Sequence, residues 1–544
     1  MATDPNRLVT PASQDRPPPG HIRSARDVLR IAARDPTVVA TLRRHPGATP
    51  TAYTKGPRRW QVSYFTAPRR GQASSQRQEV AQVLIDDRSG AVLESWSGFQ
   101  VAWTMARGYP GAFGRQATAL YVWIPLLLLF VAPFVDRRRL LCLRHLDLLA
   151  LTGFSVSLAF FSHGNIGASV PLAYPPLLYL LVRMVQIARV RARDPDATAP
   201  ARPAVMVPAS WLAVALVFLI GFRVGLNVVN SNVIDVGYAG VIGANRLVHG
   251  ERIYHNFPRD NGHGDTYGPF VYYAYVPFER IWPWSGRWDD LPAAHGAAVA
   301  FDLLTMLLLL VLGRRIRGPT LGIALAYAWA AYPFTLFAAN SNSNDSLVSV
   351  LLVAALVVAG RPAARGAVVA LAALTKFAPL ALAPLFGLYR PRAQRSGTGR
   401  CLALFCAGFV AAAAIAFAPV LLDGGAALFW QRTVAYQGTR ESPFSIWGLV
   451  GGLGGVQTAV QVGALALAAA VAFVPRRRDL ASLAALAAAV LIAIQLGVTH
   501  WFYLYIVWFF PLAMVAVLSG PTTGGSEPGR RPADAREPEP VAAA

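Results

Sequence analysis

The chain has 544 residues, of which 54% are hydrophobic and only 14% charged, against about 25% charged in an average soluble domain. Apolar runs of bilayer-spanning length, about 20 residues, recur between Tyr121 and Leu518, which excludes an ordinary soluble globule. The formal net charge of +22 comes from Arg gathered at the ends of those runs, where membrane topology needs it, and no interleaving of basic and aromatic residues points to nucleic acid.

Residues 1–20 are rich in Pro and Arg and are expected to be disordered. With no apolar core behind its first charges, this opening does not have the form of a secretory signal. From Ser24 to Arg44 a helix is predicted, since Val28, Leu29, Ile31, Val38, Val39 and Leu42 recur near helical spacing. After His45-Pro46-Gly47 the period changes. Trp60, Val62 and Tyr64 alternate with polar neighbours, as do Ala81, Val83 and Ile85, which predicts two strands. Asp86-Asp87-Arg88-Ser89-Gly90 predicts a turn and Val92–Trp96 a third strand. A helix and three short strands make a small α+β domain over 21–117, and the stretch QVLIDDRSGAVLESW (Gln82–Trp96) resembles the PepSY fold.

From Ala119 onward the pattern predicts about eleven spans, near 119–135, 146–162, 168–185, 207–228, 294–313, 319–338, 346–360, 401–421, 456–474, 480–498 and 501–518. Arg clusters follow every second span: Arg137, Arg138, Arg139 and Arg144; Arg189, Arg191 and Arg193; Arg314, Arg315 and Arg317; Arg361 and Arg365; Arg476, Arg477 and Arg478. The positive-inside rule then puts these clusters in the cytoplasm, with a disordered cytoplasmic tail over 520–544. Loops 229–293 and 422–455 face outward, and the N-terminal domain shares that side. Residues 366–389 break the alternation, being apolar but interrupted by Lys376, Pro379 and Pro384, with Arg365 before them and Arg390, Arg392 and Arg395 after. A hairpin or re-entrant pair of half-helices is expected there, which is tolerated only where it is buried in protein or lines a wet cavity. Cys142, Cys401 and Cys406 make neither a disulfide framework nor a zinc spacing.

The chemistry concentrates in 235–278. Asp235 directly follows a span, a short helix is expected over 236–249, and Gly250 is placed to end it. Tyr238, Tyr254, His255, His263, Asp265, Tyr267, Tyr272, Tyr273 and Tyr275 follow; carboxylates, amides and aromatic faces are the groups that hold polyhydroxylated sugars. Asp235 has a plain alternative role as the cap of that helix. Lys376 is one of two lysines beside 48 arginines. A compact ammonium retained at membrane depth points to function, against a lysine that merely snorkels. Arg432 and Arg440 stand in loop 422–447 as phosphate or glycan contacts. His500, with Trp501 and Tyr503, fits an interfacial aromatic belt equally well. Asn340–Asp345 is expected to be a solvated turn with helix caps, and Asp302, inside the fifth span, calls for a cation from another helix.

The order of these pieces carries a resemblance. Asp235-Val236-Gly237-Tyr238, Gly250-Glu251-Arg252-Ile253-Tyr254 and Thr266-Tyr267-Gly268-Pro269-Phe270 come first. Leu374-Thr375-Lys376-Phe377-Ala378-Pro379-Leu380 and Ser442-Pro443-Phe444-Ser445-Ile446-Trp447 follow. The set resembles the GT-C superfamily of integral-membrane glycosyltransferases, and within it the family 87 polyprenol-phosphate-mannose-dependent mannosyltransferases. The likeness runs over about 207–518; the N-terminal domain and the three spans of 118–204 are additions to it, and 205–519 is the expected catalytic module. The resemblance implies an all-α polytopic protein of the cell membrane that takes mannose or a pentose from a polyprenyl-phosphate donor. The acceptor would be a hydroxyl of a lipid-linked or cell-wall glycan, attacked with inversion in a single displacement. Asp235 matches the catalytic carboxylate. Lys376, Arg432, Arg440 and His500 would hold the donor's phosphate and sugar, and Tyr238, Tyr254, His263, Asp265 and Tyr267 the acceptor or its sugar. No cofactor is implied; a divalent metal stays open should Asp235, Asp265 and Asp345 meet. A secondary transporter would call for internal repeats, and none is visible. A non-catalytic envelope sensor or assembly protein would leave 235–278 without a role.

Overall fold

Proline at position 36 divides the predicted N-terminal helix in two. In the computed structural model, which describes residues 8–67, 77–193, 205–391, 397–422, 425–475 and 479–519, Ser24 caps Ala25–Ala33 in a capping box with Asp27. Asp35 then caps Pro36–Arg44 by accepting from the amides of Thr37 and Val38. Proline suits that first helical position because the missing N–H would have had no helical partner. The expectations made for residues 1–7 and 520–544, and for Arg392, Arg395 and Arg476–Arg478, fall outside the described residues.

The two helices pack on an antiparallel sheet whose strands lie in chain order: β1 (Leu8–Val9), β2 (Thr49–Lys55), β3 (Arg59–Phe65), β4 (Glu79–Asp86) and β5 (Val92–Ser97). The three predicted strands are the last three. β2 was hidden because TPTAYTK carries no apolar alternation, and β1 corrects the disorder expected for 1–20, since Leu8 and Val9 pair with Lys55 and Thr54. Val28, Ala32 and Val38 meet Trp60, Val62, Val83 and Ile85 in a core separate from that of the membrane part.

Among the described residues seven helices are long and apolar enough to cross a bilayer: Leu143–Ser162, Ile166–Arg193, Ala209–Val229, Pro292–Arg317, Thr398–Leu421, Gly454–Phe473 and Leu480–Gly497. Pro319–Ala331 and Pro333–Asn340 make an eighth if their 60° bend is counted within one span. Pro333 explains the bend, for its ring clashes with the preceding turn and it donates no hydrogen bond. The other expected spans are shorter apolar helices, Leu120–Val131, Asp345–Val357 and Ile506–Leu518. The last two are buried almost throughout, so protein rather than lipid sets their length. The interrupted segment is broken as expected: Pro362–Ala373 ends, Lys376 sits in the break, and a 3-10 turn at Ala378–Leu382 leads to Ala383–Gly387.

Asp302 does find its cation. Arg223, from Ala209–Val229, grips it as a fork, with Nε to Oδ2 at 2.8 Å and Nη2 to Oδ1 at 2.5 Å. Trp329 Nε1 donates to Oδ1 at 2.8 Å, and Arg223 Nη1 reaches the Ala330 carbonyl at 3.1 Å and Thr335 Oγ1 at 3.2 Å. Both charges are buried, and every oxygen is answered, which is the condition for such a pair to hold its place. It ties three membrane helices together beneath the loop-bearing end.

Arg223→Met leaves the Asp302 carboxylate buried and unpaired and is expected to cost about 3–5 kcal/mol. The measure is the thermal unfolding midpoint of the detergent-solubilised protein. Arg223→Met combined with Asp302→Leu should recover most of the loss; an unchanged midpoint in the single variant would remove this pair from the supports of the fold.

Candidate active site

Asp235 owes its position to a buried cluster of amides. Asn340–Asp345, expected as a solvated turn, is buried at every residue, because neighbouring backbone takes the place of water. The amides of Asn232 and Ile234 donate to the carbonyls of Asn340 and Ser341 at 3.1 and 3.2 Å. Asn342 Nδ2 reaches the Asn232 carbonyl at 3.0 Å, Asn227 Nδ2 donates to Asn342 Oδ1 at 2.9 Å, and Asn340 Nδ2 to the Asn230 carbonyl at 2.9 Å. Asn342 itself takes φ +47°, a left-handed conformation that asparagine tolerates better than most residues. Helices starting at Asp235 and Asp345 thus turn their first carboxylates into one cavity. The cap of the first helix is Ile234, so Asp235 does not fill the capping role weighed against catalysis. Gly237 is required for the fit: a Cβ there would lie 2.0 Å from the Asn342 carbonyl oxygen.

The loop from Gly250 to Gly268 is held over Asp235 by its own side chains. Tyr254 Oη donates to the Tyr267 carbonyl at 3.0 Å, Tyr272 Oη to that of Gly264 at 2.9 Å, and Asn261 Nδ2 to that of Asp235 at 3.0 Å. Asp265 accepts from the His255 amide at 2.7 Å and is forked by Arg432, Nε and Nη2 each at 2.7 Å. Two expected ligand contacts, Asp265 and Arg432, therefore engage each other, and neither lines the cavity. Tyr238 is also outside it, its ring buried against Trp284 and its hydroxyl 3.3 Å from Asp260. Tyr254 faces a small separate recess with Glu251, Pro419 and Leu428.

Lys376 arrives by a close backbone approach. A Cβ on Gly268 would meet the Leu374 carbonyl oxygen at 2.1 Å, and the Phe270 amide donates to that same oxygen at 3.1 Å. Thr266–Phe270 and Leu374–Leu380, two of the sequence pieces named above, are thus in direct contact. Lys376 Nζ stands 3.5 Å from Asp345 Oδ1 and 4.2 Å over the Tyr267 ring. Trp508 Nε1 donates to the same Asp345 oxygen at 2.9 Å, while Oδ2 is buried without a partner among the described residues.

The cavity, about 450 Å³, gathers Asp235, His263, Tyr267, Lys376, Arg440 and His500, with Asp345 and Tyr505 added. Arg440 Nε is buried without an acceptor among the described residues. His263 stacks on Tyr436 at 4.9 Å between centroids. One wall comes from the segment after β5: Trp103, Thr104, Met105 and Phe113 line the cavity. Trp103 stacks on His500 at 5.7 Å and lies 5.4 Å from the Arg440 guanidinium carbon. The segment is pinned by Asn232 Nδ2 to the Ala112 carbonyl at 2.8 Å and by the Gln116 amide to Asn230 Oδ1 at 3.0 Å. Sequence reasoning missed this wall and raised Asp345 only as a metal partner for Asp235 and Asp265; aromatic residues in an aperiodic stretch give no sign of a partner far along the chain.

Enclosure sets the electrostatics. The Asp235 carboxyl opens on the cavity but is walled by protein, and that loss of water pushes it above the ordinary carboxylate range. The Val236 amide, Arg440 and Lys376 pull it back, and Asp345 adds to the rise. His500 is driven well below the usual histidine range by burial first, then by Arg440 and Lys376, so it is neutral near pH 7. Ser442 Oγ accepts from the Phe444 amide at 3.3 Å and lies 2.8 Å from His500 Nδ1. Either atom of that pair can donate; with Nδ1 accepting the hydroxyl hydrogen, Nε2–H is left as a neutral donor. A carboxylate raised toward neutrality, two cations, a neutral imidazole and aromatic walls can hold a polyhydroxylated, anionic ligand and accept a proton from it. Asp235 and Asp345 share the cavity without Asp265, and among the described residues no three His, Cys, Asp or Glu side chains gather as metal ligands.

The family model of glycosyltransferase family 87 matches residues 266–502. That stretch contains Tyr267, Asp345, Lys376, Arg440 and His500, while Asp235 and the Trp103 wall lie upstream of it. No curated protein matches the chain. The match over that stretch, with the apolar helices around it, indicates a multi-pass membrane glycosyltransferase.

Gly268→Ala forces a methyl against the Leu374 carbonyl and is expected to cost about 1–3 kcal/mol, as overpacking does, and to loosen the break that holds Lys376. The thermal midpoint should fall, and an amine-acylating reagent should label Lys376 faster, identified by mass against Lys55. Unchanged midpoint and labelling together would mean that the contact relaxes without consequence.

Proposed function

We propose that this chain, whose residues 266–502 match the model of glycosyltransferase family 87, moves a sugar from a polyprenyl-phosphate donor to a hydroxyl of a lipid-linked or cell-envelope glycan. The observation that supports this reading best is the convergence of Asp235, Lys376, Arg440 and His500, from four separate segments, on one cavity. In the proposed step the acceptor hydroxyl attacks the anomeric carbon as Asp235 takes its proton. The bond from that carbon to the phosphate oxygen breaks with inversion, and polyprenyl phosphate leaves with the electron pair. Lys376, Arg440 and the neutral His500 Nε2–H meet the charge that develops on the phosphate, the kind of fixed stabilisation such a leaving group needs. Trp103 and Tyr267 offer flat apolar faces to the sugar. Mannose and a pentose fit this scheme alike. From the Arg distribution we read the cavity as extracytoplasmic, and the N-terminal domain shares its side because its last segment forms the wall.

Purified protein supplied with labelled polyprenyl-phosphate sugars and a membrane acceptor extract should transfer label. Asp235→Asn should transfer about 10²–10⁴-fold more slowly, the usual worth of a general base, with its thermal midpoint kept. Equal rates in the two proteins would sink the assignment of the base. Because enclosure raises the Asp235 carboxyl, it takes up a proton at a higher pH than an ordinary carboxylate. The acid limb of kcat/KM should therefore lie above 3.8, the ordinary aspartate value, activity falling as pH drops through it. An acid limb at or below that value would count against Asp235 as the ionising group.

A further inference from the structure

The sheet of the N-terminal domain has a second face. Trp60, Val62, Val83 and Ile85 point to its helices, so by alternation Arg59, Gln61, Gln82, Leu84, Glu94 and Trp96 point the other way. There they line a recess of about 160 Å³ that is completed by Lys55, Arg107 and Tyr109. Glu94 Oε2 is already answered by Trp96 Nε1 at 2.8 Å and Tyr109 Oη at 2.7 Å, with Arg107 Nη1 at 3.8 Å. Arg107 also stacks on Trp96 at 5.4 Å. Three cations, Lys55, Arg59 and Arg107, thus line a recess with one carboxylate, whose Oε2 already takes two hydrogen bonds. Among the described residues the one hydrogen bond of Lys55 Nζ is to the neutral Gln61 Oε1 at 3.3 Å, and burial together with Arg107 pushes its ammonium down against the pull of Glu94 and Glu79, so a further anion there would relieve it.

Two further observations connect the recess to the chemistry. The chain has two lysines; Lys376 lines the cavity and Lys55 lines this recess. The recess is also joined to the cavity by one short piece of chain. Arg107 Nε donates to the Gln100 carbonyl at 2.8 Å and Nη2 to that of Val101 at 3.2 Å, fixing the turn that carries Trp103 into the cavity wall.

We propose that this recess binds the anionic group of a glycan, a phosphate or a carboxylate, and so holds the far end of the acceptor while its hydroxyl reaches Asp235; the acceptor part rests on the function proposed above. A charged hydrogen bond here is worth about 1.5–3 kcal/mol, or about tenfold and more in affinity. The test uses the full chain in phosphatidylcholine nanodiscs, with Lys376→Gln and Arg440→Gln to silence the cavity's cations. Glucose 1-phosphate, glucuronate and glucose are each titrated, and binding is followed by saturation-transfer NMR. At least one anionic probe should bind and glucose should not; which probe binds separates phosphate from carboxylate. Lys55→Gln with Arg59→Gln, both at the rim of the sheet, should weaken that binding about tenfold or more with an unchanged thermal midpoint. Absence of anion binding, or binding that survives those two changes, overturns the site. In the otherwise wild-type chain the same pair should raise KM for the membrane acceptor and leave KM for the donor unchanged; an unchanged acceptor KM overturns the acceptor part. A wild-type chain that transfers no sugar would instead defeat the proposed function, and the binding readout would still stand on its own.

Discussion

Two backbone hydrogen bonds, Asn232 to Asn340 and Ile234 to Ser341, set the geometry on which the rest of the cavity depends. They lay two short polar runs side by side, of which Asn340–Asp345 is buried throughout. The backbone amides of Asn232 and Ile234 and the side-chain amide nitrogens of Asn227, Asn340 and Asn342 have protein acceptors in place of the solvent they lost, and a buried amide N–H left unmatched would cost about 1–3 kcal/mol. Sliding one run past the other by a residue would orphan several of these groups at once. The two helix starts are therefore held in register, and with them the carboxylates of Asp235 and Asp345.

Around this cluster the charges divide into closed and open sets. Arg223 with Asp302, and Arg432 with Asp265, are forks in which both carboxylate oxygens are taken. They hold helices and loops together and offer nothing to a ligand. The cavity is different. Lys376 touches Asp345 at only one oxygen, Arg440 keeps a buried Nε without an acceptor, and Asp235 faces the space directly. Desolvated charge that its own fold leaves half-answered is the physical signature of a site prepared for an ionic ligand.

Much of this was legible in the sequence. Apolar length marked the membrane helices because that signal is local, and Lys376 stood out because a lone ammonium among arginines and prolines has no structural reason. The order of pieces from Asp235 to Trp447 pointed to one site, and Gly268 against Leu374 is the contact by which two of those pieces meet. The failures have a common cause. Asn340–Asp345 has the composition of a solvated turn, and only tertiary packing supplies the backbone that buries it. Asp265 and Arg432 are ligand-like taken singly, and only the folded chain makes them partners. β2 and Trp103 lacked any periodic signal, so nothing local announced them.

The stacking of Trp103 on His500 joins the segment after β5 to the turn that follows the helix Leu480–Gly497. A ribosome must deliver every intervening membrane helix before the two rings can meet, so the cavity closes only after Leu480–Gly497 has been made. Partly made or prematurely ended chains would thus lack a finished pocket, which ties the onset of glycosyl transfer to completed insertion.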